Sequence, residues 1–335
     1  MTIDAFIAGM PKCELHVHLE GTLEPELKFA LAKRNAIALK EPDVAAMRAS
    51  YRFRDLASFL AIYYDGMRVL LTEEDFYGLT MAYLMRVHGE NVVYTEMFFD
   101  PEAHTARGIA FDTVIRGIRR AQMEAETRLG IRSALILCFL RDWSAEFAMA
   151  TLVQSLPYKE WILGIGLDSD ERDNPPLKFR AVFRRARAEG YLLTAHCDPD
   201  QKDTTEHIRQ CLDEIEVARI DHGVNTLDDP ALIEKVRAKQ LGLTICPISN
   251  FRIYGDSKAA DIKRLLDLGI RATVNSDDPA YFGGYMTDNL ITVARDAKLE
   301  RGEIVQLMEN AFEAAWLPRT AKERYLTALH QFAAS

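Results

Sequence analysis

The apolar positions of this chain fall into short unbroken runs rather than alternating ones. NVVYTEMFF (91–99), IRSALILCFL (131–140), WILGIGLD (161–168) and YLLTAHC (191–197) are four of them. VARIDHG (217–223), LGLTICPIS (241–249) and IRATVNSDD (270–278) are three more, and KCELHVHL (12–19) is an eighth. Continuous apolar runs of this length predict strands buried on both faces, as in a parallel sheet. Between them the apolar period becomes helical. FDTVIRGIRRAQMEAETRLG (111–130), LKFRAVFRRARAEG (177–190), DPALIEKVRAKQLG (229–242) and SKAADIKRLLDLG (257–269) each carry an apolar stripe and end in glycine. Each such glycine predicts a helix stop before the next strand. From residue 131 the strands start at 131, 161, 191, 217, 241 and 270, a near-regular β–α repeat.

Eight such units predict an α/β fold, a closed (β/α)8 TIM barrel forming a single domain over residues 1–335. The gap from 19 to 91 holds YRFRDLASFLAIYYDGMRVL (51–70), which is aromatic and apolar at helical spacing. It predicts extra helices over the barrel mouth, with Phe53, Phe59 and Tyr63 either packed as lid core or covering a pocket. The chain from 286 onward predicts further helices round the outside.

Composition narrows the function classes. Apolar residues make up 48% of the 335, enough for a large core. Lys and Arg number 41 against 50 Asp and Glu, a net charge of −9. Such a chain gains nothing from long-range attraction to nucleic acid or anionic lipid, so neither is an expected partner. The start MTIDAFIAGM lacks the basic-then-apolar pattern of a secretory signal. The longest apolar stretches are too short to span a bilayer. The five cysteines, Cys13, Cys138, Cys197, Cys211 and Cys246, are odd in number and form no CxxC. Most sit in apolar runs, the pattern of a reducing compartment, and the expected location is cytoplasmic.

The candidate chemistry is positional. Barrel enzymes carry their reactive groups at the C-terminal ends of strands. Those ends here hold His16 and His18, Asp168, His196, His222 and the pair Asp277–Asp278. His16 and His18 are separated by one residue, so a strand turns both imidazoles to one face. Alone, HxH also suits two histidines hydrogen-bonded in a core. Joined by His196, His222 and Asp277 at one mouth, it predicts a bound divalent transition metal. Cys197 follows His196 and points to the opposite face, toward packing. His88, His104, His207 and His330 lack this placement and are expected in structural or solvated roles.

With those motifs in view, the chain resembles the adenosine/adenine deaminase family of metal-dependent amidohydrolases. PKCELHVHLEGTLEPEL (11–27), RIDHG (219–223), CPISN (246–250) and NSDDPAYFGGY (275–285) carry the resemblance over nearly the whole chain. EGTLEPEL and DDPAYFGGY look more like the free-base adenine deaminases than the nucleoside enzymes. The resemblance implies one Zn2+ per chain on His16, His18, His196 and Asp277. It implies that His222 acts on the attacking water and that Asp278 hydrogen-bonds the imidazole part of a purine. It places Glu20 near the would-be sugar, where base and nucleoside enzymes differ, and Ser169 of GLDSDE (166–171) at the ring edge.

One departure matters. The family follows the fifth-strand histidine with HAGE, whose glutamate protonates the ring nitrogen beside the attacked carbon. Here the stretch reads His196, Cys197, Asp198, Pro199, and proline transfers no proton. Asp198 is two residues after His196, so strand periodicity directs it to the same mouth. It is the expected replacement acid, with Asp200 as second choice and a plain polar loop as the bland reading. Asp277 is expected to share the proton traffic of the water with His222. The expected reaction is zinc-dependent hydrolytic deamination of a 6-aminopurine base, adenine to hypoxanthine and ammonia. The alternative is an N6-substituted adenine or another amino-substituted heterocycle. The partners are then a small purine or related ring and water; the oligomeric state is not read from the sequence, and a homodimer is no more than the commonest oligomer among soluble proteins.

Overall fold

A computed structural model describes residues 1–335. Its strands run parallel: β1 Lys12–His18, β2 Val92–Phe99, β3 Arg132–Leu140 and β4 Gly164–Asp168. Then come the short pieces β5 Leu192–Leu193 and β6 His196–Cys197, followed by β7 Arg219–His222, β8 Gly242–Ile245 and β9 Arg271–Val274. They pair in chain order as two sheets, β1 to β5 and β6 to β9. Thr194 N–H donates to Ile165 O (3.0 Å) and Asp221 N–H to Ala195 O (3.0 Å), so β5 and β6 are two parts of one fifth barrel strand. The ring closes at an isolated bridge between Val17 and Asp277. There Asp277 N–H donates to His16 O (3.1 Å) and His18 N–H to Asp277 O (2.9 Å). The result is the expected (β/α)8 barrel, with every strand end delivered to one mouth.

The helix stops bear out most of the glycine reading. The helix Phe111–Leu129 ends on Gly130 at φ 72°, and the helix Ala259–Asp267 is followed by Gly269 at φ 71°. Gly242 is different. The helix Pro230–Ala238 has already ended, with Gln240 taking the left-handed turn at φ 53°. Gly242 is the first residue of β8, where a Cβ would come within 2.6 Å of Ala314 Cβ. A long-range approach of the helix Arg301–Ala314, not the local turn, demands that glycine.

Two strands stop well before the C-terminal ends of their apolar runs. β8 stops at Ile245 because Pro247 opens the helix Pro247–Tyr254. β9 stops at Val274, and Asp277 and Asp278 lie in the turn before the helix Pro279–Phe282. Over the mouth lies the helix Leu56–Gly66, capped by Asp55. Phe53 precedes it and packs on Phe59 and Phe282, with centroids 5.2 and 5.8 Å away. Three helices, Met286–Asp296, Arg301–Ala314 and Arg319–Ala333, finish the chain, as its apolar spacing predicts. No helix is long and apolar enough to cross a membrane.

One buried acid of the frame gives a stability prediction. Glu102 accepts from Leu140 N–H at 2.8 Å, while its Oε1 is buried without a partner. Burial raises its pKa to about 7. The folded chain therefore holds this proton more tightly than the unfolded chain, whose glutamate titrates near pH 4.3. Glu102's contribution is complete below about pH 4 and is lost as pH rises through about 7. Glu102→Gln removes the titration. The melting-temperature difference, variant minus wild type, should shift in the variant's favour between pH 4 and pH 8. A difference flat with pH would contradict it.

Candidate active site

Four donors meet at the barrel seam. His16 Nε2 lies 3.1 Å from Asp277 Oδ1, and His18 Nε2 lies 3.4 Å from the same oxygen. His18 Nε2 and His196 Nε2 are 3.1 Å apart. The four ligand atoms all lie within 4.8 Å of one another, and all four residues are buried. β1 turns His16 and His18 the same way by its period of two, β6 delivers His196, and the bridge to Val17 fixes Asp277. Asp277 holds φ 64° and His222 holds φ 55°, left-handed conformations that cost a non-glycine residue energy. Both are therefore held by their surroundings.

A row of acceptors stands behind the histidines. His16 Nδ1 is 2.8 Å from Thr244 Oγ1, which donates onward to Asp221 Oδ1 at 3.0 Å. His196 Nδ1 faces Asp221 Oδ2 at 3.5 Å, and His18 Nδ1 faces Asp168 Oδ2 at 3.4 Å. In the tautomer that turns each Nδ1–H to its acceptor, the three Nε2 lone pairs point at each other and at the Asp277 carboxylate. Lone pairs so crowded repel unless a cation lies among them, and three imidazoles with one carboxylate suit a divalent transition ion. Burial lowers the His16 pKa to about 4, so the ring is neutral as a ligand must be.

The stretch after His196 is clamped from outside. Arg141 is fully buried; its Nη1 donates to His196 O at 2.8 Å and lies 3.5 Å from Glu171 Oε2. That oxygen accepts from Asp198 N–H at 2.8 Å, while Glu171 Oε1 lies 2.5 Å from His207 Nδ1. Burial disfavours the Glu171 carboxylate, but Arg141 and His207 hold its pKa below normal. Arg141, Glu171 and His207 thus fix the backbone on either side of Cys197. Cys197 itself faces outward, with Sγ 3.7 Å from Cys211 Sγ.

A cavity of about 490 Å3, open mouth included, sits over the donor cluster. Phe59, Tyr63 and Phe282 supply part of its apolar wall. His18, His196, His222, Asp198, Asp277 and Asp278 supply a polar one. Asp198 Oδ1 lies 3.1 Å from His222 Nε2. Burial, with Glu171 beside it, raises the Asp198 pKa well above the carboxyl range. Asp200 instead turns outward and accepts from Lys258 Nζ at 2.6 Å. Asp278 Oδ1 is buried without a partner, and burial raises its carboxyl pKa strongly. Ser169 lines the cavity at φ 73°, its Oγ receiving Tyr64 OH at 2.8 Å.

Glu20 does not reach the cavity wall. Its Oε1 lies 2.8 Å from His104 Nε2 and accepts Asp100 N–H at 3.2 Å, which turns the side chain away. Asp100 stands at the wall in its place. Asp100, Arg141, Glu171 and Asp221 are the functional neighbours that reading the sequence missed. Three of them had a visible signal: Asp100 follows the run VVYTEMFF, Glu171 closes GLDSDE, and Asp221 sits inside RIDHG.

A parallel barrel whose mouth gathers three histidines and an aspartate defines a metal-dependent hydrolase. Comparison with known proteins carries this further. The family described as Adenosine deaminase matches residues 11–332. An uncharacterised deaminase of Schizosaccharomyces pombe is 51% identical over 334 residues, covering 99% of this chain and 98% of the relative. The adenine deaminase of Chlorobium phaeobacteroides (strain BS1) is 48% identical over 332 residues, covering 98% of each. The crystal structure of adenine deaminase from Arthrobacter aurescens superposes with a TM-score of 0.94 at 40% identity, covering 98% of this chain and 100% of that one. The chain belongs to the adenosine/adenine deaminase family of metal-dependent amidohydrolases.

The row behind the histidines can be tested without turnover. Asp221→Asn keeps size but removes the charge facing His196. Loss of such an orienting partner typically weakens metal binding by about 10–100-fold. Competition against a chromogenic chelator should show that loss, and unchanged affinity would remove Asp221 from the metal centre.

Proposed function

We propose that the protein catalyses zinc-dependent hydrolytic deamination of a free 6-aminopurine base, adenine to hypoxanthine and ammonia, with one Zn2+ per chain. The observation that carries this reading is the convergence of His16, His18, His196 and Asp277 on one cavity wall with the His222–Asp198 pair beside them. The adenine deaminases it resembles over their full length support the choice of base. The purine base and water are the reactants.

When bound, the ion supplies a strong water-derived nucleophile near neutral pH. The chain's own groups do the rest. His222 takes the proton of the attacking water and can return it to the departing amine. Asp277 shares that traffic from the seam. Asp198, buried and 3.1 Å from His222, gives its proton to ring N1 as C6 gains oxygen, the task of the glutamate whose place Pro199 occupies. Asp278 meets N7 and Ser169 faces the ring edge. The C6–N bond then breaks, the amine leaves as ammonia with the proton from His222, and the C6 hydroxyl proton returns by way of Asp277 and His222 to Asp198, leaving the 6-oxopurine.

A second reading has its own support. Asp198 is a shorter acid than glutamate, and Leu56, Leu60, Ile253 and Tyr254 add apolar wall round the cavity. That setting suits an N6-substituted adenine, or another amino-substituted heterocycle, releasing an amine in place of ammonia.

Gently purified protein should contain about one equivalent of zinc, and adenine and N6-substituted adenines should release ammonia or amine. Full turnover by metal-free protein, or silence on every one of these bases, overturns the assignment. His222→Ala should lower kcat by about 10²-fold or more while metal content falls less than in His196→Ala. Asp198→Asn should keep zinc and lose about 10²-fold in kcat/KM, whereas Asp200→Asn loses far less. Near-wild-type turnover of D198N across the pH range would assign the ring proton elsewhere.

A further inference from the structure

The cavity has a second polar end that the reaction above does not use. Asp100 directly follows β2, and Asp168 ends β4. In the ring of eight barrel strands, β2 stands opposite β7, which carries His222. Asp100 therefore faces the cavity from across the mouth. It is 1% exposed, and its Oδ1 has no hydrogen-bond partner. Its Oδ2 has only a long contact, 3.4 Å to Tyr63 OH. Asp168 is 2% exposed; its Oδ2 faces His18 Nδ1 at 3.4 Å, and its Oδ1 has no partner. Buried acceptors are almost always satisfied, so open ones on a cavity wall call for a donor on the ligand.

The site is also built from behind. Glu20 spends one oxygen on Asp100 N–H and on His104 Nε2. Arg107 Nη2 in turn donates to His104 Nδ1 at 2.8 Å. This chain of contacts sets the backbone of Asp100; Glu20 Oε2 is buried without a partner, and Glu20 does not line the cavity. The carboxyl at the cavity wall is that of Asp100.

The inference rests on the proposed orientation of the base. C6 lies at the metal end beside His222, N1 at Asp198 and N7 at Asp278. The edge left over is N3–C4–N9, and the polar wall left over is Asp100, Asp168 and Ser169. On that edge a free 9H-purine has one hydrogen-bond donor, N9–H. We propose that Asp100 is the residue that selects a free base over a nucleoside, its carboxyl oxygen accepting N9–H. An N9-glycoside lacks that hydrogen and drives its sugar against Asp100 and Tyr63. Glu20, at the position from which base and nucleoside enzymes are expected to diverge, is then a positioning residue that acts through Asp100.

A probe pair differing only at N9 tests this. The metal-loaded full chain is titrated calorimetrically with hypoxanthine and with 9-methylhypoxanthine, and kcat/KM is measured for adenine and 9-methyladenine. Sites built to hydrogen-bond an N–H strongly reject analogues lacking it, so the wild type should favour the unmethylated member by about 10²-fold or more. Asp100→Ala should shrink that ratio by at least about tenfold, mainly by weakening the free base. Asp100→Asn keeps an acceptor oxygen and should retain most of it. Equal affinity of the wild type for both members, or an unchanged ratio in metal-replete D100A, overturns the role of Asp100. If D100A does not fold, the wild-type pair and Asp100→Leu decide it: equal affinity in the wild type, or an unchanged ratio in metal-replete D100L, counts against the role. A wild type that binds hypoxanthine selectively, with that ratio collapsing in D100A, but deaminates none of the bases overturns the reaction and upholds Asp100. Failure to bind either base overturns both.

Discussion

The seam where the barrel closes is the constraint on which the rest of the molecule depends. Asp277 pairs through its backbone with His16 and His18 of β1, and its carboxylate meets the imidazoles of those same two residues. Closing the sheet and assembling the donor cluster are thus one contact. Glu14 secures it from the far side, accepting from Ser276 Oγ at 2.5 Å and Tyr83 OH at 2.6 Å. Leu15 N–H, which the irregular seam would leave unpaired, donates to Asn275 Oδ1 at 2.8 Å. Buried main-chain groups need partners, and here side chains of the loop supply them. A left-handed aspartate at 277 is tolerated because so many bonds over-determine it.

A buried cluster of histidines and carboxylates must also be kept from repelling itself. The carboxylates are divided among tasks. Asp221 and Asp168 stand behind the ligand rings, and Glu171 is neutralised by Arg141 and His207 while it anchors Asp198. Asp198, Asp278 and Asp100 keep oxygens at the cavity wall, and burial favours their protonated forms. Uncharged acids can donate as well as accept, which suits a flat heteroaromatic ring with both kinds of edge atom. The same burial limits their number, since unpaired charges at this depth would not be tolerated.

Much of this was legible in the sequence because it depends on local period. Continuous apolar runs predicted the eight strands, and HxH placed two imidazoles on one face through the geometry of a single strand. His196, His222 and Asp277 were found by one positional rule, reactive groups at strand ends, and alternation separated His196 from Cys197. What stayed hidden depends on residues distant in the chain. Which way Glu20 turns is decided by His104 and by the Asp100 amide, both some eighty residues away. Arg141 and Glu171 read as loop charges until the fold sets them under His196 and Asp198. Gly242 reads as a helix stop, but the approach of Ala314 is what requires it. Period and strand direction are properties of a segment and survive in its residues. The partner of a buried polar group is a property of the packing, and only the closed barrel decided it.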